Sequence, residues 1–171
     1  MAILTAVDGH INTPAELEAL RDAWRSQGQK VVFTNGVFDL LHKGHVTYLA
    51  SAAQLGDVLV VGINGDASVR RLGKGADRPI VPEADRAAVV AALRSVAAVV
   101  LFGADTPLAL IEALKPDVLV KGGDYDAECT DPMDPGYIVG STEVRASGGQ
   151  VATIDLVPGR STTAIARKLK G

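Results

Sequence analysis

Several features that would assign this chain to a common class of protein are scarce or missing. Cys129 is its only cysteine, so no disulfide can form within the chain, and a cluster of thiolate metal ligands is excluded. The most apolar stretch, residues 87–102, contains Arg94 and is too short to cross a bilayer. Residues 1–14 lack the basic start and apolar run of a secretion signal. We therefore expect a cytoplasmic protein with no membrane partner.

Charge of one sign is also scarce. The formal net charge is −3, with 17 basic and 20 acidic residues, so no general attraction to nucleic acid is expected. An anionic ligand would therefore be held by local groups. The 171 residues are enough for one compact domain with a hydrophobic core. We expect a helical extension in residues 1–28 packed on a main domain formed by residues 29–171.

Short apolar runs alternate with amphipathic stretches along the whole chain. Thr13, Pro14 and Glu16 form a helix start signal, and the run "KVVFTNG" at 30–36 is typical of a buried strand. The further predicted strands are 57–64, 97–102, 117–123 and 150–157, and the predicted helices are 14–27, 44–55, 83–94, 106–114, 141–147 and 161–169. Residues 65–82 and 124–140 are predicted to be loops. The alternation predicts a single doubly wound, Rossmann-like parallel sheet of about five strands with helices on both faces.

The stretch "TNGVFDLLHKGH" at 34–45 follows the first predicted strand and begins a helix. Ligands of such sheets bind where strands end and helices begin, and free N–H groups there attract anions. His42 and His45 can project to one side and donate hydrogen bonds to a phosphate. Gly36 permits a tight turn, and Gly44 permits close approach of a phosphate to the backbone. The histidines could alternatively bind a metal with Asp39, although a closed zinc site needs a fourth ligand.

A second candidate phosphate site lies about 120 residues further along the chain. The stretch "RSTTAI" at 160–165 places Ser161, Thr162 and Thr163 at the start of the last predicted helix, next to Arg160. Their hydroxyl and N–H groups suit a pyrophosphate. Neither a Walker A pattern nor a GxGxxG pattern is present.

The stretch "GVFDLLHKGH" resembles the signature of the HxGH nucleotidyltransferase, or cytidylyltransferase-like, superfamily, and "RSTTAI" resembles its C-terminal STT motif. Residues 29–170 as a whole, including "PDVLVKGGDY" and "EVRASGGQV", resemble the adenylyltransferases that act on D-glycero-β-D-manno-heptose 1-phosphate. The resemblance implies transfer of AMP from ATP to a heptose 1-phosphate, giving ADP-heptose and pyrophosphate for lipopolysaccharide core or related heptose-containing glycans. It also implies a nucleotidyltransferase domain at 29–171, separate from the sugar kinase to which many relatives are fused.

The resemblance also implies roles for individual residues. The catalytic residues would be His42, His45 and Lys121. The residues that bind ATP would be Thr34, Asn35, Gly36, Phe38, Lys43, Gly44, Arg78, Asp124, Arg160, Ser161, Thr162 and Thr163. Mg²⁺ would accompany ATP and be held mainly by the nucleotide and water, with no metal ligand assigned in the protein. The expected partners are these small molecules and a second copy of the chain in a homo-oligomer.

Two other functions remain open at this point. The same phosphate motifs would serve a cytidylyltransferase acting on glycerol 3-phosphate or a phosphorylated amino alcohol, because they contact phosphates rather than bases. A nucleotide-binding module without catalytic activity is a further alternative, although such a module has no need of both the histidines and the STT segment.

Overall fold

The computed structural model describes residues 11–73, 75 and 77–169, and in this part of the chain six parallel strands form one sheet. The strands are β1 (Ile11–Asn12), β2 (Val31–Gly36), β3 (Val58–Asn64), β4 (Ala98–Phe102), β5 (Val118–Gly122) and β6 (Gln150–Ile154). The helices are α1 (Pro14–Ser26), α2 (Lys43–Ala53), α3 (Asp66–Arg71), α4 (Glu83–Ala91), α5 (Leu108–Leu114), α6 (Ser141–Ala146) and α7 (Thr162–Leu169). The predicted fold class is confirmed.

The sheet has one strand more than the sequence predicts. Its order is β1-β4-β3-β2-β5-β6, and every neighbouring pair is parallel. The additional strand, β1, consists of Ile11 and Asn12 beside Val99 and Val100. Two residues are too few for a periodic pattern, so this pairing depends on the neighbouring strand rather than on local sequence.

Two hydrophobic clusters cover the two faces of the sheet. One contains Phe33 of β2 and side chains of α1, α5 and α6, and the other contains Leu49 of α2 with Ala87 and Val90 of α4. All seven residues of β3 are buried, as expected for a strand covered on both faces. Burial of each large apolar side chain contributes about 1.5–3 kcal/mol, so these clusters hold the strand ends in fixed relative positions.

The predicted start signal of the first helix is present in the structure. Thr13 and Glu16 form a reciprocal capping box, Pro14 begins α1, and the chain leaves the helix at Gly28 with φ of +70°. Arg25 of α1 donates to the carbonyl of Lys115, 2.8 Å away, so the helix is tied to the end of α5. The division into 1–28 and 29–171 stays a prediction.

The predicted loop at 65–82 was wrong in part, because α3 occupies Asp66–Arg71. Its start has no side-chain cap of its own. Instead, Glu83 accepts a hydrogen bond from the Asp66 N–H, and the Asp66 carboxylate binds the buried Arg86 at 2.7 Å. Because these contacts come from α4, no pattern in the local sequence predicts α3.

The predicted irregular stretch at 124–140 contains no helix or strand. Three aspartates, Asp126, Asp131 and Asp134, each accept a hydrogen bond from the backbone N–H two residues further on. Such turns give the backbone partners that a helix or sheet would otherwise supply.

The strand order creates a crevice at one edge of the sheet. From β2 the chain proceeds to β3 and β4 on one side, and later to β5 and β6 on the other. The loops after β2 and β5 therefore diverge above adjacent strands, and ligands of doubly wound sheets bind at such a point.

Candidate active site

A cavity of about 600 Å³ lies at the carboxyl ends of the strands. Its wall includes His42 and His45 at the start of α2, and Arg160, Ser161 and Thr162 at the start of α7. The two motifs, more than 100 residues apart in sequence, therefore share one cavity.

The start of α2 determines which nitrogen of His42 carries the proton. His42 is the N-cap of this helix, and its Nδ1 accepts a hydrogen bond from the backbone N–H of His45 at 3.4 Å. A nitrogen that accepts is unprotonated, so a neutral His42 carries its proton on Nε2. The imidazole can thus cap the helix and still donate an N–H to a ligand.

His45 packs between two rings. It stacks on His42 with ring centroids 3.9 Å apart and meets the edge of Phe38 at 5.3 Å. Phe38 has φ of 50°, a left-handed conformation that is costly for this residue and is held here by the burial of its ring. His45 Nδ1 is buried and has no hydrogen-bond partner among the described residues.

Both histidines are poorer proton acceptors than free histidine. Burial and then the nearby His42 lower the pKa of His45 to about 4. Burial and then the charge of Arg160 also lower the pKa of His42 below its usual value. Near neutral pH both side chains are therefore uncharged and act as hydrogen-bonding groups rather than as cations.

The structure shows a reason for glycine at position 44 that differs from the predicted approach of a phosphate. A Cβ at this position would lie 2.9 Å from two atoms of the His42 ring and 3.2 Å from Cβ of Arg160. The space that a side chain at position 44 would need is thus taken by His42 and Arg160. Gly44 allows the starts of α2 and α7 to approach each other.

Lys121 lies at the end of β5, beside Asn35 at the end of the adjacent β2. Its Nζ donates to Oδ1 of Asn35 at 2.6 Å and lies 5.5 Å from the centre of the Tyr125 ring. Burial and then the charge of Asp124 raise the pKa of Tyr125. The half-buried ammonium group of Lys121 thus lies in the cavity wall, between β2 and β5, where the strand order reverses.

Most of the predicted site residues line this cavity. Those that do are Asn35, Gly36, Phe38, His42, Gly44, His45, Lys121, Asp124, Arg160, Ser161 and Thr162. The other four predicted residues, Thr34, Lys43, Arg78 and Thr163, lie outside its wall.

Thr34 does not occupy the predicted position. Its side chain is completely buried, and its hydroxyl is hydrogen-bonded to that of Tyr48 at 2.7 Å. Tyr48 also donates to the carbonyl of Val120 and itself lines the cavity. Burial raises the pKa of Tyr48 to about 12, so the hydroxyl stays protonated. Direct contact of Thr34 with a phosphate does not fit this arrangement, because the Thr34 side chain is completely buried and its hydroxyl is bound to Tyr48.

Arg78 and Thr163 line a second, smaller cavity of about 220 Å³ that shares His45 and Thr162 with the main one. Arg78 binds the carboxylate of Asp39 at 2.6 Å. Lys43 is exposed and lines a third cavity of about 140 Å³ next to Arg160. The three residues therefore border the main cavity from outside.

Asp39 connects the loop after β2 to the residues that precede α4. Its carboxylate accepts hydrogen bonds from the N–H groups of Ile80 and Val81 at 2.8 and 2.9 Å, in addition to Arg78. Burial alone would raise the pKa of Asp39, but these hydrogen bonds outweigh it and the pKa is lowered. Asp39 thereby fastens residues 78–81 to the histidine loop.

Several residues of the cavity wall were missed by sequence reasoning. They are Val37, Tyr48, Asn64, Leu72, Asp105, Thr106, Pro107, Gly122, Tyr125, Pro135, Tyr137, Val139, Leu156 and Val157. Most follow the ends of β3 to β6, so the rule that ligands bind at these ends was the available signal.

We next asked whether the described residues could hold a metal ion or cross a membrane. In the described part of the chain, no three His, Cys, Asp or Glu side chains are grouped so that they could hold a metal ion. No described helix has the length and apolar character to cross a membrane.

The fold and cavity define a class: a Rossmann-like protein in which a histidine pair and a helix start rich in hydroxyl residues line one cavity. The sequence model of the cytidylyltransferase-like family matches residues 33–168. The chain belongs to this family, as the HxGH and STT stretches indicate.

Individual relatives agree with this assignment. "Bifunctional protein HldE" of Methylobacillus flagellatus is 56% identical over 146 residues, which cover 85% of this chain and 28% of that protein. The protein of the same name from Bradyrhizobium diazoefficiens is 49% identical over 170 residues, 99% of this chain and 33% of the relative. The chain thus spans about a third or less of the length of these curated relatives.

A solved structure shares the fold. It is described as the lipopolysaccharide core biosynthesis protein from Thermoplasma volcanium and is 29% identical, with a TM-score of 0.58. The match covers 76% of this chain and 98% of that one.

Proposed function

We propose that this protein is an adenylyltransferase that converts ATP and D-glycero-β-D-manno-heptose 1-phosphate into ADP-heptose and pyrophosphate. The observation that carries the proposal is the meeting of His42 and His45 with Ser161 and Thr162 around one cavity. The heptose acceptor is supported by the resemblance of residues 29–170 and by the HldE relatives.

The reaction needs positioning more than proton transfer. A phosphate oxygen of the sugar phosphate attacks the α-phosphorus of ATP, and the bond between this phosphorus and the bridging oxygen breaks. Pyrophosphate leaves with the electron pair. The attacking phosphate is already an anion near pH 7, so no strong base is required. The main task of the protein is to orient the reactants and stabilise charge that develops on phosphate oxygens.

The histidine pair is suited to the α-phosphate. His42 has its Nε2–H available because Nδ1 caps α2. The low pKa of His45 keeps it uncharged and able to act as a hydrogen-bonding group. An uncharged N–H group at a helix start can donate a hydrogen bond to a phosphate oxygen and stabilise the negative charge that develops on it.

The start of α7 is suited to the leaving pyrophosphate. Ser161 and Thr162 line the cavity beside Arg160, and Oγ of Ser161 accepts a hydrogen bond from the backbone N–H of Ala164 at 3.1 Å. Arg78 and Thr163 lie in the adjoining cavity, which His45 and Thr162 also line. In this arrangement the β- and γ-phosphates lie between the two cavities. Mg²⁺ bound to ATP supplies further neutralisation of the triphosphate charge.

The decisive experiment incubates the protein with each of ATP, CTP, GTP and UTP, with Mg²⁺, and with sugar 1-phosphates, glycerol 3-phosphate and a phosphorylated amino alcohol. Pyrophosphate release and the mass of the nucleotide product are measured. We expect ADP-heptose from ATP and heptose 1-phosphate. Preference for CTP with glycerol 3-phosphate would support the cytidylyltransferase alternative, and nucleotide binding without pyrophosphate release from any pair would support the non-catalytic module.

The homo-oligomer and the cytoplasmic location belong to the same proposal. They are supported only by the general behaviour of small α/β domains and by the composition of the chain. Light scattering of the purified protein tests the oligomeric state.

A further inference from the structure

One end of the cavity has no role in the reaction described above. The histidines, Lys121 and the start of α7 come from the region of β2, β5 and β6. The remaining part of the wall is contributed by the ends of β3 and β4 and the residues that follow them. These residues are Asn64, Leu72, Asp105, Thr106 and Pro107.

The two ends of the cavity differ in chemistry. The end at β5 and β6 contains the rings of Tyr125 and Tyr137 and the apolar side chains of Val139, Leu156 and Val157. Such a surface suits a flat nucleoside base. The end at β3 and β4 instead contains Asp105, Asn64 and Thr106, which carry a carboxylate, an amide and a hydroxyl group. Carboxylate and amide groups suit a ligand with many hydroxyls, because they accept hydrogen bonds from them.

The carboxylate end is held in a defined position by α3. Arg71 binds Oδ1 of Asp105 at 2.5 Å and the carbonyl of Gly103 at 2.6 Å. Ser68 donates to the carbonyl of Ala104 at 2.9 Å and accepts from Nδ2 of Asn64. The loop after β4 is thus tied to α3 at successive residues, although the side chain of Asp105 remains 68% exposed. A fixed but accessible carboxylate loses little freedom when it binds a ligand.

We propose that Asp105, held by Arg71, is the residue that recognises the hydroxyl groups of the sugar in the acceptor substrate. This inference rests on the proposed function and names the part of the same cavity that selects the acceptor. It assigns the β3–β4 end to the sugar ring and leaves the β5–β6 end to the nucleoside.

The test compares Asp105→Asn with the wild type and with Asp22→Asn. Asp22 is a matched control, because its side chain is also 68% exposed and bound to an arginine, but it lies outside the cavity. The KM for heptose 1-phosphate and the KM for ATP are measured separately by pyrophosphate release. We expect Asp105→Asn to raise the sugar phosphate KM by about 10- to 100-fold, as loss of a charged hydrogen bond implies. We expect its KM for ATP to stay within about twofold of the wild type.

A second variant separates contact with the sugar from a purely structural role. Arg71→Gln removes the tether and leaves the carboxylate in place, so its sugar phosphate KM should rise less than that of Asp105→Asn. Equal effects of the two variants would mean that Asp105 serves only to hold the loop, and this would overturn the inference.

The remaining outcomes are also decisive. If Asp105→Asn matches Asp22→Asn, or raises both KM values equally, Asp105 does not read the sugar and the inference fails while the proposed function stands. If the wild type releases no pyrophosphate with any sugar 1-phosphate, the proposed function fails and the inference fails with it.

Discussion

At the scale of single residues, the site depends on groups whose state is determined by their surroundings. His42 uses one ring nitrogen to cap α2 and has the other for a ligand. His45 is held by His42 on one face and by the edge of Phe38. The spacing in the sequence predicts that the two histidines act together. It contains no information about the tautomer or the lowered pKa, because both follow from packing.

Replacement of His45 by alanine should lower kcat by about 10²- to 10⁴-fold, because a donor to the developing phosphate charge is lost. Pyrophosphate release under saturating substrates is the measurement. The control is Thr47→Ala, a change at an exposed position two residues further along α2. Turnover close to that of the wild type would refute the role of His45.

The low pKa of His45 also predicts a pH effect on stability. In the unfolded chain the side chain takes up a proton as the pH falls through about 6.5, whereas in the folded protein it does so only near 4. The unfolded state therefore binds more protons in this window, and the folded state loses stability as the pH decreases.

Urea unfolding at pH 7.5 and pH 5 tests this effect. We expect the wild type to lose more free energy of unfolding between the two pH values than His45→Gln, which cannot titrate. An equal loss in both proteins would show that His45 has an ordinary pKa in the fold.

At the scale of elements, the start of α2 packs closely against the start of α7. A Cβ on Gly44 would collide with the His42 ring at 2.9 Å and would lie only 3.2 Å from Cβ of Arg160. Contacts between helices also explain α3. It starts at Asp66 because Glu83 of α4 accepts a hydrogen bond from the Asp66 N–H and Arg86 of α4 donates to the Asp66 carboxylate. Strong local patterns predicted most helices, but contacts between helices determined these two details.

Gly44→Ala should therefore reduce activity without unfolding the protein. Alanine favours a helix by about 1 kcal/mol over glycine, which offsets part of the cost of the collision. We expect kcat/KM for ATP to fall by at least about tenfold, because His42 or α7 must move. Activity and thermal midpoint are compared with those of Thr47→Ala. Full activity would show that the contact between the two helix starts is unimportant.

At the scale of the whole molecule, the strand order decides where the site lies. The chain leaves β2 toward β3 and returns to its other side at β5. The resulting crevice brings together residues from the segment 35–45, the end of β5 and the start of α7. The arrangement explains how a segment at the end of the chain can complete a site that begins near its start.

Removal of residues 160–171 tests this arrangement. The described part of α7 is exposed or half-buried and lies outside the sheet, so the truncated protein should still fold, and its helical circular dichroism signal should fall only by the contribution of α7. In the full chain, ATP at a hundred times its Kd should stabilise the fold by about 2.7 kcal/mol. We expect this stabilisation, followed by thermal melting, to disappear on truncation and to persist in Arg167→Ala. Undiminished stabilisation of the truncated chain would contradict the shared site.

The sequence by itself determined the order and class of the elements and the two phosphate motifs. Apolar periodicity and capping signals act over a few residues, and the HxGH and STT stretches are equally local. They were sufficient to predict a doubly wound sheet and eleven of the residues that line the cavity.

Only the tertiary structure decided which of those residues reach the cavity. Tyr48 takes the place predicted for Thr34, and Asp39 holds Arg78 beside the main cavity. Asp105 enters the wall from a strand end that carries no motif. The physical reason is the same in each case: burial, ion pairing and pKa depend on distances between groups far apart in the chain, and those distances exist only after the sheet has formed.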